Sequence, residues 1–120
     1  MRQQKAQSDI YGERQMRVIK LMADYHCFPL WEASPGKAGN VNPQDLPISP
    51  ALRDALIVWA KKYTATSNID DPKSSGFDSE EKIEEFRNEG DDLAQRLQDE
   101  LGVTYHITNY SVVGVARRLD

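Results

Sequence analysis

Asp24-Tyr25-His26-Cys27 is the densest run of reactive side chains in the chain. A thiolate nucleophile needs a base within hydrogen-bond reach. Neighbours on a strand point to opposite faces, so His26 and Cys27 are not expected to serve each other. His106 falls on a separate predicted strand and could reach either. A small enzyme using Asp24, His26, Cys27 and His106 is therefore one reading. The plainer one makes Cys27 a small buried hydrophobe, since free cysteine is among the most buried residue types. Metal chemistry has less to work with. The chain has two histidines and one cysteine, and no HxH, HExxH or CxxC spacing. Asp70-Asp71 with Asp78 lacks the glycine and final glutamate of a calcium loop. Gly36-Lys37-Ala38-Gly39-Asn40 lacks the spacing of a phosphate loop and reads as a turn. No cofactor, metal or catalytic set is expected.

Charge is the stronger signal. Residues 78–100 carry ten carboxylates against Lys82, Arg87 and Arg96, a balance of 3 − 10 = −7. The rest of the chain carries 12 − 9 = +3, giving the overall −4. Such a field points to a basic protein partner or a solvated face, and away from nucleic acid. Helical spacing puts Glu81, Glu84, Asp91, Asp92 and Asp99 on the outward half, and these are the candidate partner contacts. Trp31, beside a long loop, joins them, because exposed tryptophan is enriched at the energetic centre of interfaces.

The elements that position these residues follow from periodicity. Val18-Ile19-Lys20-Leu21-Met22-Ala23 reads as a strand, which residues 27–31 continue or follow with a second one. Residues 32–47 read as a loop full of turn formers. Ser49 and Pro50 open a helix whose stripe is Leu52, Leu56, Trp59 and Tyr63. Ile57 and Val58 fall off that stripe, so the helix is either covered on two sides or exposes an apolar patch. After a second loop, Asp78 is expected to cap the acidic helix, with Glu81 completing a capping box and Phe77 turning back toward Ile83. Its inner stripe is Ile83, Phe86, Gly90, Leu93, Leu97 and Leu101, and Gly90 there suggests close approach of another backbone. Gly102 ends it. Val103 to Thr108 alternates as a strand, and a last short strand falls within residues 112–116. The expectation is an α+β fold: a small antiparallel sheet from N- and C-terminal strands packed against two central helices.

At 120 residues the chain has room for one core. Residues 1–15 read as an arm or extension and residues 16–120 as one domain. No apolar run approaches the roughly 18–20 residues of a membrane span, and residues 1–15 do not look like a secretory signal. A cytoplasmic monomer or weak dimer is expected.

Leu21-Met22-Ala23-Asp24-Tyr25-His26-Cys27-Phe28-Pro29-Leu30-Trp31 is distinctive. So are Gly39-Asn40-Val41-Asn42-Pro43, Leu46-Pro47-Ile48-Ser49-Pro50, Trp59-Ala60, and Asp71-Pro72 with Ser74-Ser75-Gly76-Phe77. Together they resemble the pattern of a family of small bacterial proteins, over about three quarters of the chain. That pattern brings no catalytic residue with it. In size and charge the chain resembles the immunity proteins of bacterial toxin systems. The resemblance implies a stoichiometric inhibitor, of immunity or antitoxin type, that blocks a basic toxin. The alternatives are a regulatory or scaffolding module using Ile57, Val58 and Trp31, and the small enzyme using Cys27 and His106.

Overall fold

The computed structural model describes residues 16–67, 76–112 and 115–117. The expected N-terminal arm and the loop centred on Asp70-Asp71-Pro72 lie outside the described residues. Among the described residues five strands form one sheet: β1 (Arg17–Ala23), β2 (Leu30–Glu32), β3 (Gly39–Val41), β4 (Tyr105–Val112) and β5 (Val115–Arg117). Two helices, α1 (Pro50–Thr64) and α2 (Glu80–Leu101), lie between β3 and β4 in the chain. The spatial order is β3-β2-β1-β4-β5.

The fold is α+β, as the element order implies, with strands from both ends of the chain in the sheet. The sheet is mixed, which corrects the antiparallel expectation. β1 pairs β4 in parallel, with Ile19 opposite Ile107, while the other neighbours are antiparallel. A parallel pair needs a long crossover, and the α1–α2 hairpin supplies it.

Ile19, Leu21, Ala23, Leu30 and Ile107 point from the sheet into the core and are buried. Leu52, Leu56 and Trp59 of α1 and Phe86, Leu93 and Leu97 of α2 meet them. The opposite sheet face carries Val18, Lys20, Trp31, His106 and Tyr110, by strand alternation. There Lys20 Nζ sits 5.2 Å from the centre of the Tyr110 ring.

Several boundaries differ from the sequence expectation. The region of turn formers holds β3 and a short 3₁₀ turn, Pro43–Asp45, capped by Asn42. Ser79, not Asp78, caps α2, accepting from the Lys82 amide. Asp78 instead pairs with Lys82 at 3.2 Å. The shift puts the smaller hydroxyl at the cap and leaves the carboxylate one helical turn from a lysine. Phe77 packs on Phe86 at 4.9 Å and on Tyr63 at 6.3 Å. β4 begins at Tyr105, because Gly102 turns the chain at φ +83° and Val103 stands exposed.

The contact at Gly90 is with a side chain. A Cβ there would lie 2.8 Å from Trp59 Cζ2 and 3.3 Å from Ser111 Oγ. Trp59 stacks on Phe86 at 4.4 Å and donates its indole N–H to the Phe86 carbonyl at 3.0 Å. Phe86 lies four residues before Gly90, so its carbonyl is at the helix surface that a side chain at 90 would cover. Alanine is favoured over glycine in a helix by about 1 kcal/mol, while overpacking a tight core typically costs about 1–3 kcal/mol. Gly90→Ala should therefore lower stability on balance, read as a lower urea midpoint.

At the start of β1, Glu32 Oε1 accepts from Arg17 Nε at 2.9 Å, and its Oε2 accepts from Ser34 Oγ at 2.6 Å. The Arg17 hydrogen bond, set against burial, holds the Glu32 carboxyl below its ordinary range. A depressed folded-state pKa contributes stability that is present above the unfolded value. That stability is lost as pH falls through the folded one. Glu32→Gln should thus destabilise at neutral pH, with the gap to the parent closing in acid. Denaturant titrations across a pH series measure it.

Candidate functional site

α2 divides its carboxylates by their angle around the helix. One flank faces α1. There Glu89 pairs with Lys62 at 2.7 Å. Glu100 accepts from both the Ser49 amide, at 2.7 Å, and the Ser49 hydroxyl, at 2.8 Å. These bonds hold the Glu100 carboxyl below its ordinary range, the amide contributing most. The other flank faces β4. Asp91 accepts from Asn109 Nδ2 at 2.7 Å, and Asn109 Oδ1 receives the Ser111 amide and hydroxyl, both at 3.1 Å. Asn109 and Ser111 are buried, so Asp91 belongs to the joint between helix and sheet.

The remaining turns face solvent. Glu81, Glu84, Glu85, Asp92 and Asp99 are exposed. A spacing of 100° per residue sets them on one outer stripe, between the two flanks. Asp99 accepts from Gln95 at 3.0 Å, a bond along that stripe. Of the five acidic candidates, the structure groups Glu81, Glu84, Asp92 and Asp99 and turns Asp91 inward. Trp31 lies elsewhere. It pairs with Lys20 on the sheet face away from the helices, and its indole N–H donates to the Met22 carbonyl at 2.9 Å. The sheet stands between Trp31 and the acidic stripe, so these residues form two surfaces rather than one.

The reactive cluster does not assemble. Residues 24–28 form a turn rather than a strand. His26 is exposed at φ +62°, and its amide donates to Thr64 Oγ1 at 3.0 Å. Cys27 Sγ donates to the Tyr25 carbonyl at 3.4 Å. His106 is paired with Val18, at the opposite end of β1. Five residues of strand, about 16 Å, separate that point from Ala23. His106 also points to the far face, so it is no base for Cys27. Among the described residues, no group of three or more His, Cys, Asp or Glu is placed to hold a metal ion. Nor is any helix among them long and apolar enough to cross a membrane.

The turn does help build a groove that reactive-residue reasoning passes over. His26, Cys27, Phe28, Asn40, Ile57, Ala60, Lys61 and Thr64 line a concavity of about 300 Å³. Phe28 and Ile57 also line its neighbour of about 340 Å³, with Pro50, Arg53 and Asp54. Ile57 is half-buried here, and Val58 beyond it is 54% exposed. The available signal was the pair Ile57-Val58 falling off the α1 stripe. Beside the groove, Tyr25 stacks on Tyr63 at 4.5 Å. Burial, with Tyr25 adding to it, pushes the Tyr63 hydroxyl up to about 12.

The model of one protein family, described as Serratia CdiI immunity protein-like, matches residues 17–112. The match runs from the first residue of β1 to the last of β4. It takes in both helices and every residue of the acidic stripe. No curated protein matches the chain. A match over that much of the sheet and the whole helical layer places the chain in the Serratia CdiI immunity protein-like family.

Proposed function

We propose that this protein is a stoichiometric inhibitor: an immunity protein that binds a toxin and blocks it. Membership of the immunity protein-like family carries the reading. The exposed stripe Glu81, Glu84, Asp92 and Asp99 supports a more specific form of it. A row of carboxylates on one rigid helix is complementary to a basic cleft, of the kind that grips phosphates. Such complementarity acts chiefly on the rate of encounter. An inhibitor that must reach a toxin before the toxin reaches its target benefits from that rate. Asp91 and Glu100 are not part of the proposed contact, because their oxygens tie α2 to Asn109 and Ser49.

Tagged protein should retain one basic partner in equal amount from its native cells, held more weakly at moderate than at low salt, with mass spectrometry identifying it. Reversing Glu84 and Asp92 to lysine should then slow association with that partner by about tenfold or more at low salt and flatten its salt dependence. Unchanged kinetics would remove this stripe as the interface. Absence of a partner at both salts would count against the inhibitor itself.

A further inference from the structure

The two concavities on the far flank of α1 form one groove, divided by a ridge of Phe28 and Ile57. Its exposure is built rather than incidental. Phe28 is 39% exposed, yet both of its backbone groups are held by one side chain. Its amide donates to Asn40 Oδ1 at 2.9 Å, and its carbonyl accepts from Asn40 Nδ2 at 2.8 Å. The same Nδ2 reaches the Leu30 carbonyl at 2.9 Å. The Thr64 hydroxyl holds the next turn through His26. A backbone anchored this way has less left to order when the residue enters a contact.

The groove's charge runs against that of the molecule. The chain is net −4, but Lys61 lines the apolar concavity and Arg53 the more polar one, where Asp54 is the one carboxylate among the described lining residues. Arg53 makes one long bond, 3.4 Å, to the Leu46 carbonyl. Its Nε is buried, out of reach of the groove, and has no hydrogen-bond partner among the described residues. A guanidinium has five donors, so its remaining N–H groups, on the side that lines the groove, are the ones that can receive a carboxylate. Each concavity is at the small end of the roughly 300–1,000 Å³ typical of ligand pockets, with room for an apolar side chain of a partner.

We infer that this groove is a second docking site, which takes a segment of the toxin with apolar side chains next to carboxylates. The apolar side chains seat on either side of the Phe28–Ile57 ridge, and Lys61 and Arg53 receive the carboxylates. The inference rests on the immunity reading for the toxin as occupant, and its chemistry is opposite to that of the α2 stripe. The toxin would thus present a basic surface to α2 and an acidic-apolar segment to α1.

The test uses the full chain, isotopically labelled, and two peptides: acetyl-Asp-Leu-Asp-Phe-Asp-amide and its lysine counterpart. The acidic peptide should shift the signals of Ile57, Ala60 and Phe28 saturably in the millimolar range, and the lysine peptide should not. Lys61→Glu should weaken that response about threefold, the scale of an exposed charge pair. Ile57→Glu should abolish it, and the double reversal of Glu84 and Asp92 should leave it intact. No shifts, or equal shifts from both peptides, would overturn the groove as a site while leaving the inhibitor reading to its own test. Against the captured toxin, Ile57→Glu should weaken binding at least tenfold with little change in association rate. An unchanged affinity would overturn the toxin as the groove's occupant.

Discussion

The missing side chain at Gly90 is the constraint on which the helical layer depends. It opens the surface of α2 just where the indole of Trp59 arrives. The ring can then lie flat on Phe86 and donate to the Phe86 carbonyl. Phe86 in turn meets Phe77 and Tyr63, and Tyr63 meets Tyr25. One close approach thus sets the distance between the helices and carries rigid aromatic packing from the centre of α2 to the β1–β2 turn. The groove beside that turn and the acidic stripe on the outer face of α2 inherit their relative positions from it.

A helix with this much like charge needs anchoring by more than its apolar side. Glu100 on the cap of α1, Glu89 on Lys62, and Asp91 on Asn109 provide that on both flanks. Exposed ion pairs contribute little each. The Asp91–Asn109–Ser111 chain reaches buried groups, where an unmade hydrogen bond is costly. Position around the helix, more than residue type, decides which carboxylates hold the fold and which remain on the surface.

Much of this was legible before any coordinates. The β-branched start of β1, the Ser49-Pro50 opening of α1 and the apolar stripe of α2 specified the α+β class and the core. Gly90 announced its close contact but not the partner, since a missing Cβ accommodates a ring as readily as a backbone. Parallel pairing of β1 with β4 was not readable, because alternation fixes which face a residue takes but not the direction of its neighbour. Asp91 counted as outward by spacing, yet it lies at the boundary of the helix face, where one asparagine across the gap turns it inward. Trp31 followed from loop proximity, and β2 claimed it for the other sheet face. The groove was half visible: Ile57 and Val58 marked an apolar excess, whereas Phe28 becomes its ridge only through Asn40, twelve residues away.

The acidic stripe has an energetic consequence for any cationic partner. Glu80 and Glu84, and Glu81 and Glu85, are like-charge pairs one turn apart, each costing about 0.2–0.5 kcal/mol in a helix. The folded state carries this repulsion because the core and the flank contacts of α2 outweigh it. A basic surface laid over the stripe relieves the repulsion as it forms its own attractions. The gain on binding therefore includes energy stored in the free protein. Salt removes both parts together, so the repulsion in the free chain and the attraction in the complex share one ionic-strength dependence. An apolar groove with its own cations responds to salt much less, since side-chain burial supplies its core. Two contacts of opposite chemistry on one rigid helical layer would combine fast encounter with slow release, and neither alone gives an inhibitor both properties.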